Sequence, residues 1–541
     1  MSRRFLGRGQ PGSLGKSSGR TTRAAQPERR KDRFSNLTLR VQSKEKLVAD
    51  TAVHSTDVIV VGAGGSGLFA AIEAAEMGRR VLVLEKNRAP GGTTNWAIGS
   101  LSSSASPMQA AIGIHDTPAA HFEDMALFHG ALLCRDNPEL RRAFVENVPD
   151  TLKKLLDMGV VFFGPMPEPP HRVPRMHNVL PNSRAYAHAL YRRARELGVD
   201  IRLKHRARRL LFERGRVVGV EAEADGLQHR FIALRGVVLA GGDFSANREM
   251  KRIYTGEEIA QADALVETST GDAHQLALDV GAEIVNGDIV SGPQLRFVPP
   301  KVNLMTMLPP SRLLALLMKW CMGKLPQALI RPFIMMFLTT VLEPQRKLYE
   351  SGAILINRDG SRFADECDKP QFAIPHQPYK EAYIIMDGLL AKRFSTWPNY
   401  ISTAPGVAYA YLPDYRRNRK DIYSTANSLG ALARKIGVPS TKFEKAVADY
   451  NSNPRPGTPG LLQPPFIALG PVRSWVLTEG GLRISPAMEV LSKGREVIPG
   501  LFAAGATGQG GIILEGHGHH LGWAFTSGRL AGRAAALREV A

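Results

Sequence analysis

Four side chains able to exchange protons fall within one short run near the C-terminus, Glu515-Gly516-His517-Gly518-His519-His520. Imidazole titrates near neutrality, so such a run suits proton transfer in either direction. His517 and His519 are the first candidates for a general base, then Glu515. A second stretch lies far upstream. Gly62-Ala63-Gly64-Gly65-Ser66-Gly67 fits G-x-G-x-x-G. Gly62 permits a tight turn, Gly64 admits a pyrophosphate against the backbone, and Gly67 lets helix and strand pack closely. Glu85 closes the next apolar run and is placed to accept hydrogen bonds from ribose hydroxyls. A third stretch follows at once, Pro90-Gly91-Gly92-Thr93-Thr94-Asn95-Trp96-Ala97-Ile98-Gly99. A nicotinamide-only domain has no need of this loop. A flavin domain does, because its longer cofactor must run past the sheet edge.

The elements that must position these groups are legible around them. Val58–Val61 reads as a buried strand, Leu68–Met77 as a small-residue helix and Val81–Leu84 as the next strand, which is a βαβ unit. Ala207–Phe212 and Arg216–Val220 read as an antiparallel pair about Gly215. Val237–Leu239 and Ile498–Ala503 are further buried strands that run into glycines. A small-residue helix then spans Ala524–Leu537. Between 285 and 475 the alternation of strand and helix weakens. Asp421–Tyr450 reads as a helical pair with its break at Gly437.

Composition sets outer limits. The chain has 541 residues and a net charge of +20. Residues 1–50 hold 13 Lys and Arg against 4 Asp and Glu, with almost no apolar periodicity, and read as a disordered basic tail. Ser2-Arg3-Arg4-Phe5-Leu6 is not followed by an apolar core, so export is not expected; a transit peptide is the alternative. No nucleic-acid reader motif accompanies the charge. Cys134, Cys321 and Cys367 are widely spaced, which argues against a disulfide framework or a metal site and for a reducing, cytoplasmic setting. Residues 302–344 are apolar and Met-rich, with no piece long enough to span a membrane. Two short helices, Leu313–Trp320 and Phe333–Leu342, are expected there. Core packing is the first expectation, and a peripheral membrane contact the alternative.

Taken together, VGAGGSG, Glu85-Lys86, GGTT, VVLAGGDFSAN, TGD, INRDGSRFADE, GGLRI, PGLFAAGATG and HLGWAFTSGRLAG resemble the fumarate reductase and 3-ketosteroid dehydrogenase family of flavoproteins, over about residues 55–540. The resemblance implies an α/β fold: a Rossmann-like, glutathione-reductase-like FAD-binding domain (51–284 and 476–541) with an inserted α+β cap (285–475). It places FAD on Gly62, Ala63, Gly64, Gly65, Ser66, Gly67, Glu85, Lys86, Gly91, Gly92, Thr93, Thr94 and Gly99. It adds Ala207, Gly241, Gly242, Gly271, Asp272, Gly505, Leu521 and Gly522. No His stands beside GGTT where covalently flavinylated relatives attach the cofactor, so the FAD is expected to be noncovalent.

The resemblance also exposes two departures. Fumarate reducers carry an Arg shortly after the Glu of INRDGSRFADE, where this chain has Cys367-Asp368-Lys369-Pro370-Gln371, and a second, substrate-clamping Arg where it has His520. Without both guanidinium groups a dicarboxylate loses its bidentate holds. Ketosteroid dehydrogenases carry a Tyr four residues before a carbonyl-polarising Gly. Gly518 matches the Gly, but the Tyr place is Leu514. Tyr409 in the cap is a further phenol candidate, with apolar core as its plainer role. The reading is hydride transfer between flavin and a carbon–carbon bond next to the carbonyl of a small lipophilic substrate, with an unassigned electron donor or acceptor. A reductase of small unsaturated acids and a noncatalytic FAD-binding protein are the alternatives.

Overall fold

The computed structural model describes residues 54–300, 307–404 and 408–540. The basic tail expected at 1–50 lies outside them, as do 301–306 at the head of the Met-rich stretch. The first core is built on an eight-stranded sheet. Its main path runs Glu489–Leu491, Val497–Ala503, Leu227–Leu239, His54–Val61, Val81–Glu85, Asp200–Leu203. Neighbours from Val497–Ala503 onward pair in parallel. Val58, Ile59 and Val60 are fully buried, which is why that segment is continuously apolar rather than alternating. Arg206–Glu213 and Arg216–Ala224 form the expected antiparallel pair at its side.

Three strand ends meet at one edge. Gly62 N–H donates to Leu84 O (2.8 Å), Ala240 N–H to Val61 O (2.8 Å) and Ala504 N–H to Leu239 O (2.9 Å). The glycine loops that follow these strands are therefore gathered at the carboxyl edge of the parallel strands, where open α/β sheets bind ligands. The last helix, His519–Leu537, lies on the first, Gly65–Glu76. A Cβ at Gly528 would stand 2.2 Å from Ser66 O, and one at Gly532 2.1 Å from Ala70 O. Only glycine allows this backbone approach.

A second core lies between Leu295 and Val472. Its six-stranded sheet is organised by the long strand Phe466–Thr478, which pairs with Val290–Phe297, Ala382–Met386 and Tyr423–Ala426. That strand runs back to the first core, where Thr478 Oγ1 accepts from Phe244 N–H (3.1 Å). The fold is an α/β architecture with an inserted α+β unit. A small sheet, Ser100–Ser102, Met176–Leu180 and Val161–Met166, completes the frame. Its edge supports the histidine run, since Ser102 Oγ donates to His517 O (2.7 Å).

Some elements differ from expectation. The region 421–450 begins with the strand Tyr423–Ala426, added to the long strand by hydrogen bonds that local periodicity does not encode; the helices are Leu429–Ile436 and Ser440–Ser452. The Met-rich helices are longer than expected, Arg312–Lys324 and Gln327–Val341, the second passing through Pro332. Core packing accounts for one face of each only. Leu313 is 80% and Phe333 63% exposed.

Gly532→Val places two methyls beyond that Cβ, against the carbonyl of Ala70. It is expected to lower stability by about 1–3 kcal/mol, read as a lower denaturation midpoint.

Candidate active site

The glycine loops form a cradle open on one side. Gly62 has φ +108, and a Cβ there would stand 2.3 Å from Ala240 O; a Cβ on Gly67 would stand 1.9 Å from Gly62 O. Gly64 is the opposite case. Nothing lies within 4 Å of its would-be Cβ, and no side chain caps the helix that starts after it. The next N–H groups of that first turn, on Ser66 and Gly67, lie beside this space and suit a phosphate. The second loop lies alongside. Gly91 N–H donates to Ala63 O (2.8 Å), Gly64 and Gly91 form a β-bridge, and Gly65 N–H donates to Thr94 Oγ1 (3.2 Å). Gly92 and Thr93 open the 3-10 turn that follows, and Gly99 O ends the loop on Tyr186 OH (2.9 Å).

Glu85 is buried beneath this junction. One carboxylate oxygen accepts from Ala63 N–H (2.7 Å), the other from Asn87 N–H (2.8 Å). Each oxygen keeps a lone pair for a ribose hydroxyl. Lys86 and Asp272 are engaged with each other (3.0 Å), and Arg206 joins them (2.9 Å). Burial would raise the Asp272 carboxyl, but Arg206 and Lys86 hold it below its ordinary value. Ala207 is a buried strand residue opposite Ala222. Gly241 packs on Ala273, while Gly242, at φ +84, faces space. Gly505 reaches the cradle from the other end of the chain. Its would-be Cβ is 2.7 Å from Ser66 Oγ, its N–H donates to Ser527 Oγ (2.9 Å), and its carbonyl accepts from Trp523 Nε1 (3.2 Å). Gly522 closes on Phe144, with Leu521 partly buried beside it.

The histidine run turns through Gly518, φ +89, into the last helix. A Cβ there would stand 2.6 Å from Ser102 N, so only glycine fits. The three imidazoles then take different environments. His517, with 36% of its side chain exposed, gives both its backbone N–H (2.8 Å) and its ring Nδ1–H to one oxygen of buried Glu168. That contact fixes the tautomer and leaves Nε2 with a free lone pair. His520, with 47% of its side chain exposed, points Nε2 at both oxygens of Glu479 (2.9 and 3.0 Å). Burial works against its charged form, yet the Glu479 carboxylate raises its pKa. Glu479, itself depressed by His520 against the effect of burial, also accepts from Gln509 Nε2 (2.7 Å). Glu515 is raised, by burial first and then by the charge on Glu479.

His519 is a correction to the candidate bases. Its ring is fully buried, its Nδ1–H donates to Glu515 O, and burial followed by His171 drives its pKa down to about 3. Its Nε2 meets His121 Nε2 at 3.3 Å, and His171 packs edge-on against both rings. The three rings offer nitrogens within 4.8 Å of one another, a span a metal ion could bridge. Arg175 opposes one: fully buried, it donates to His171 Nδ1 (2.8 Å) while held by Asp116 (2.6 and 2.7 Å) and Asp124. Tyr409 is a second correction. It lies in the small second-core sheet with its ring on Trp397 and Tyr400, and among the described residues it makes no hydrogen bond or ring contact with the run.

A family model described as "FAD binding domain" matches residues 57–310 and 327–514. The chain belongs to this family. It is an FAD-dependent oxidoreductase, and the open cradle at Gly64 fits the cofactor. Among characterised relatives, this flavoprotein is 28% identical over 519 residues to a fumarate reductase (cytochrome) of Shewanella frigidimarina, covering 92% of this chain and 80% of that one. It is 26% identical over 537 residues to a urocanate reductase of Eggerthella lenta (92% and 76%), and 24% identical over 540 residues to a digoxin reductase of the same organism (90% and 88%). Among solved structures, an open flavocytochrome c3 fumarate reductase aligns with TM-score 0.66 at 24% identity, over 89% of this chain and 78% of that one. A 3-ketosteroid-Δ4-(5α)-dehydrogenase from Rhodococcus jostii RHA1 aligns at 0.55 and 24%, over 90% and 97%. These structural likenesses speak for the fold.

The carboxylates that hold the flavoprotein's histidines escaped the sequence reading. Glu168 sits in a Pro-rich loop with no motif around it. Glu479 directly precedes Gly480-Gly481, so its position beside the glycines was a usable signal.

Acid stability reports the buried imidazoles. The pKa values of His171 and His519 are pushed down to about 4 and about 3, and that of His121 well below its ordinary value, all chiefly by burial. Between those values and 6.5 the unfolded chain binds more protons, so stability falls as pH drops below about 6.5. Neutral His171 alone accounts for a loss of about 3 kcal/mol by pH 4. Urea midpoints measured from pH 7 to 5 should fall, and fall less in His171→Phe.

Proposed function

We propose that this flavoprotein transfers hydride between noncovalent FAD and a carbon–carbon bond next to the carbonyl of a lipophilic, uncharged substrate. The observation that carries this reading is the His520–Glu479 pair, at the place where the resemblance to fumarate reducers expects a clamping guanidinium. A carboxylate there repels a second carboxylate. With Glu168 also at the run, a substrate dianion meets carboxylates rather than bidentate donors.

Bound FAD supplies the ring that accepts or gives the hydride. The chain's own groups do the rest. His517 Nε2, held in one tautomer by Glu168, takes or returns the proton at the carbon next to the carbonyl. His520, whose charged form burial disfavours but Glu479 favours more strongly, donates a hydrogen bond to the developing oxyanion. The turn at Gly518 and the uncapped start of the last helix add their positive end to the same place. Glu515, with its carboxyl raised, is a reserve donor beside His520.

Reduction of a small unsaturated carboxylate is the second reading. The fumarate and urocanate reductases among the relatives favour it.

Anaerobic turnover with a steroid-like enone and with fumarate separates the two. Flavin oxidation state should change with the enone and not with fumarate; the reverse result overturns the first reading. His517→Ala should lower turnover about 100-fold or more. Glu168→Gln should lower it less, and Glu479→Gln should move the alkaline limb of the pH profile toward lower pH.

A further inference from the structure

The two Met-rich helices each present two apolar faces, and only one is used. On Arg312–Lys324, Ala315 is 1% exposed and packs on Val161 and Leu180. On Gln327–Val341, Met335 and Thr339 are buried, with Met335 in the second core. Facing outward are Leu313, Leu316, Leu317 and Trp320, at the i, i+3, i+4, i+7 spacing of one helix face, 80, 44, 58 and 59% exposed. On the second helix Leu329, Phe333 and Ile334 are exposed as well, and so are Met307 before the pair and Leu325 between the helices. Large apolar side chains grouped in this way mark an interaction site rather than ordinary scatter.

Charge identifies the partner. From 307 to 341 there is no Asp or Glu. Arg331 turns inward to Asp414 (2.8 Å), while Arg312, Lys319 and Lys324 on the first helix are exposed. Two copies placed face to face would bring these like charges together, which opposes self-association through this surface. Neither helix is long and apolar enough to cross a membrane. With 13 and 15 residues they span roughly 20 Å at about 1.5 Å per residue, short of the ~30 Å hydrocarbon core. Apolar side chains on a short helix rimmed by Lys and Arg instead fit a helix lying in the interface plane, with the basic heads reaching anionic headgroups.

We propose that the surface formed by Arg312–Lys324 and Gln327–Val341 docks this flavoprotein on an anionic phospholipid bilayer. The docking rests on this surface alone and stands or falls apart from the substrate reading.

Co-sedimentation of the full flavin-loaded chain with large unilamellar vesicles tests it. Vesicles of phosphatidylcholine with phosphatidylglycerol should retain the protein at moderate salt. Pure phosphatidylcholine should retain it more weakly, by roughly fivefold for each basic side chain at the surface. The combined variant Leu313→Ser, Leu317→Ser, Trp320→Ser, Phe333→Ser should lower partitioning about tenfold or more while keeping its flavin absorbance. Brominated acyl chains should quench tryptophan emission, and Trp320→Phe should remove that quenching. Equal binding by wild type and variant would assign attachment to the basic tail and overturn the proposal. So would a protein that stays in the supernatant, or one that forms a dimer abolished by the same variant without binding vesicles.

Discussion

The structure depends on one close approach, that of the last helix to the first. Gly528 and Gly532 let two backbones meet where any side chain would collide with the carbonyls of Ser66 and Ala70. This contact brings the histidine run, from the far end of the chain, to the sheet edge that carries the nucleotide cradle. Gly505 seals the junction from above, against Ser66 Oγ. Backbone contact of this kind leaves little freedom in how the helices cross, so the geometry of the glycine loops and the histidine run is fixed together.

Electrostatics then divides the histidines by environment. His517 and His520 are partly exposed and each leans on a buried carboxylate, but with opposite consequences. Glu168 meets Nδ1 of its ring and orients it, whereas Glu479 meets Nε2 of the other and favours the charged form. His519, two residues from His517 and next to His520, is sealed among His121, His171 and Phe144 and stays neutral. One helical start thus presents an acceptor, a donor and a packing group in four residues. The buried trio rests on Arg175, whose charge is matched by Asp116 and Asp124, so the cluster is paired rather than strained.

The cradle was legible because its demands are local. A strand, spaced glycines, a small-residue helix and an acid each have a signature in the chain, and the structure assembles Gly62, Gly64, Gly67 and Glu85 as those signatures imply. The histidines were legible as a group but not individually, because the residue that decides the role of each is distant: Glu168 for His517, Glu479 for His520, His121 and His171 for His519. Tyr409 failed as a candidate for the same reason, since its neighbours come from the second core's folding. The Met-rich helices showed their composition but not which face was covered. That required Val161 and Leu180, strands away, to be seen beneath Ala315.

The central claim is that two distant glycine-rich ends of this chain close around a single noncovalent flavin. The most direct measurement is the FAD content of the purified, folded chain by absorbance, before and after denaturation. A single FAD per chain, released completely into solution on denaturation, is the predicted result. A folded chain without flavin absorbance, or a flavin that stays attached to the denatured polypeptide, would contradict it.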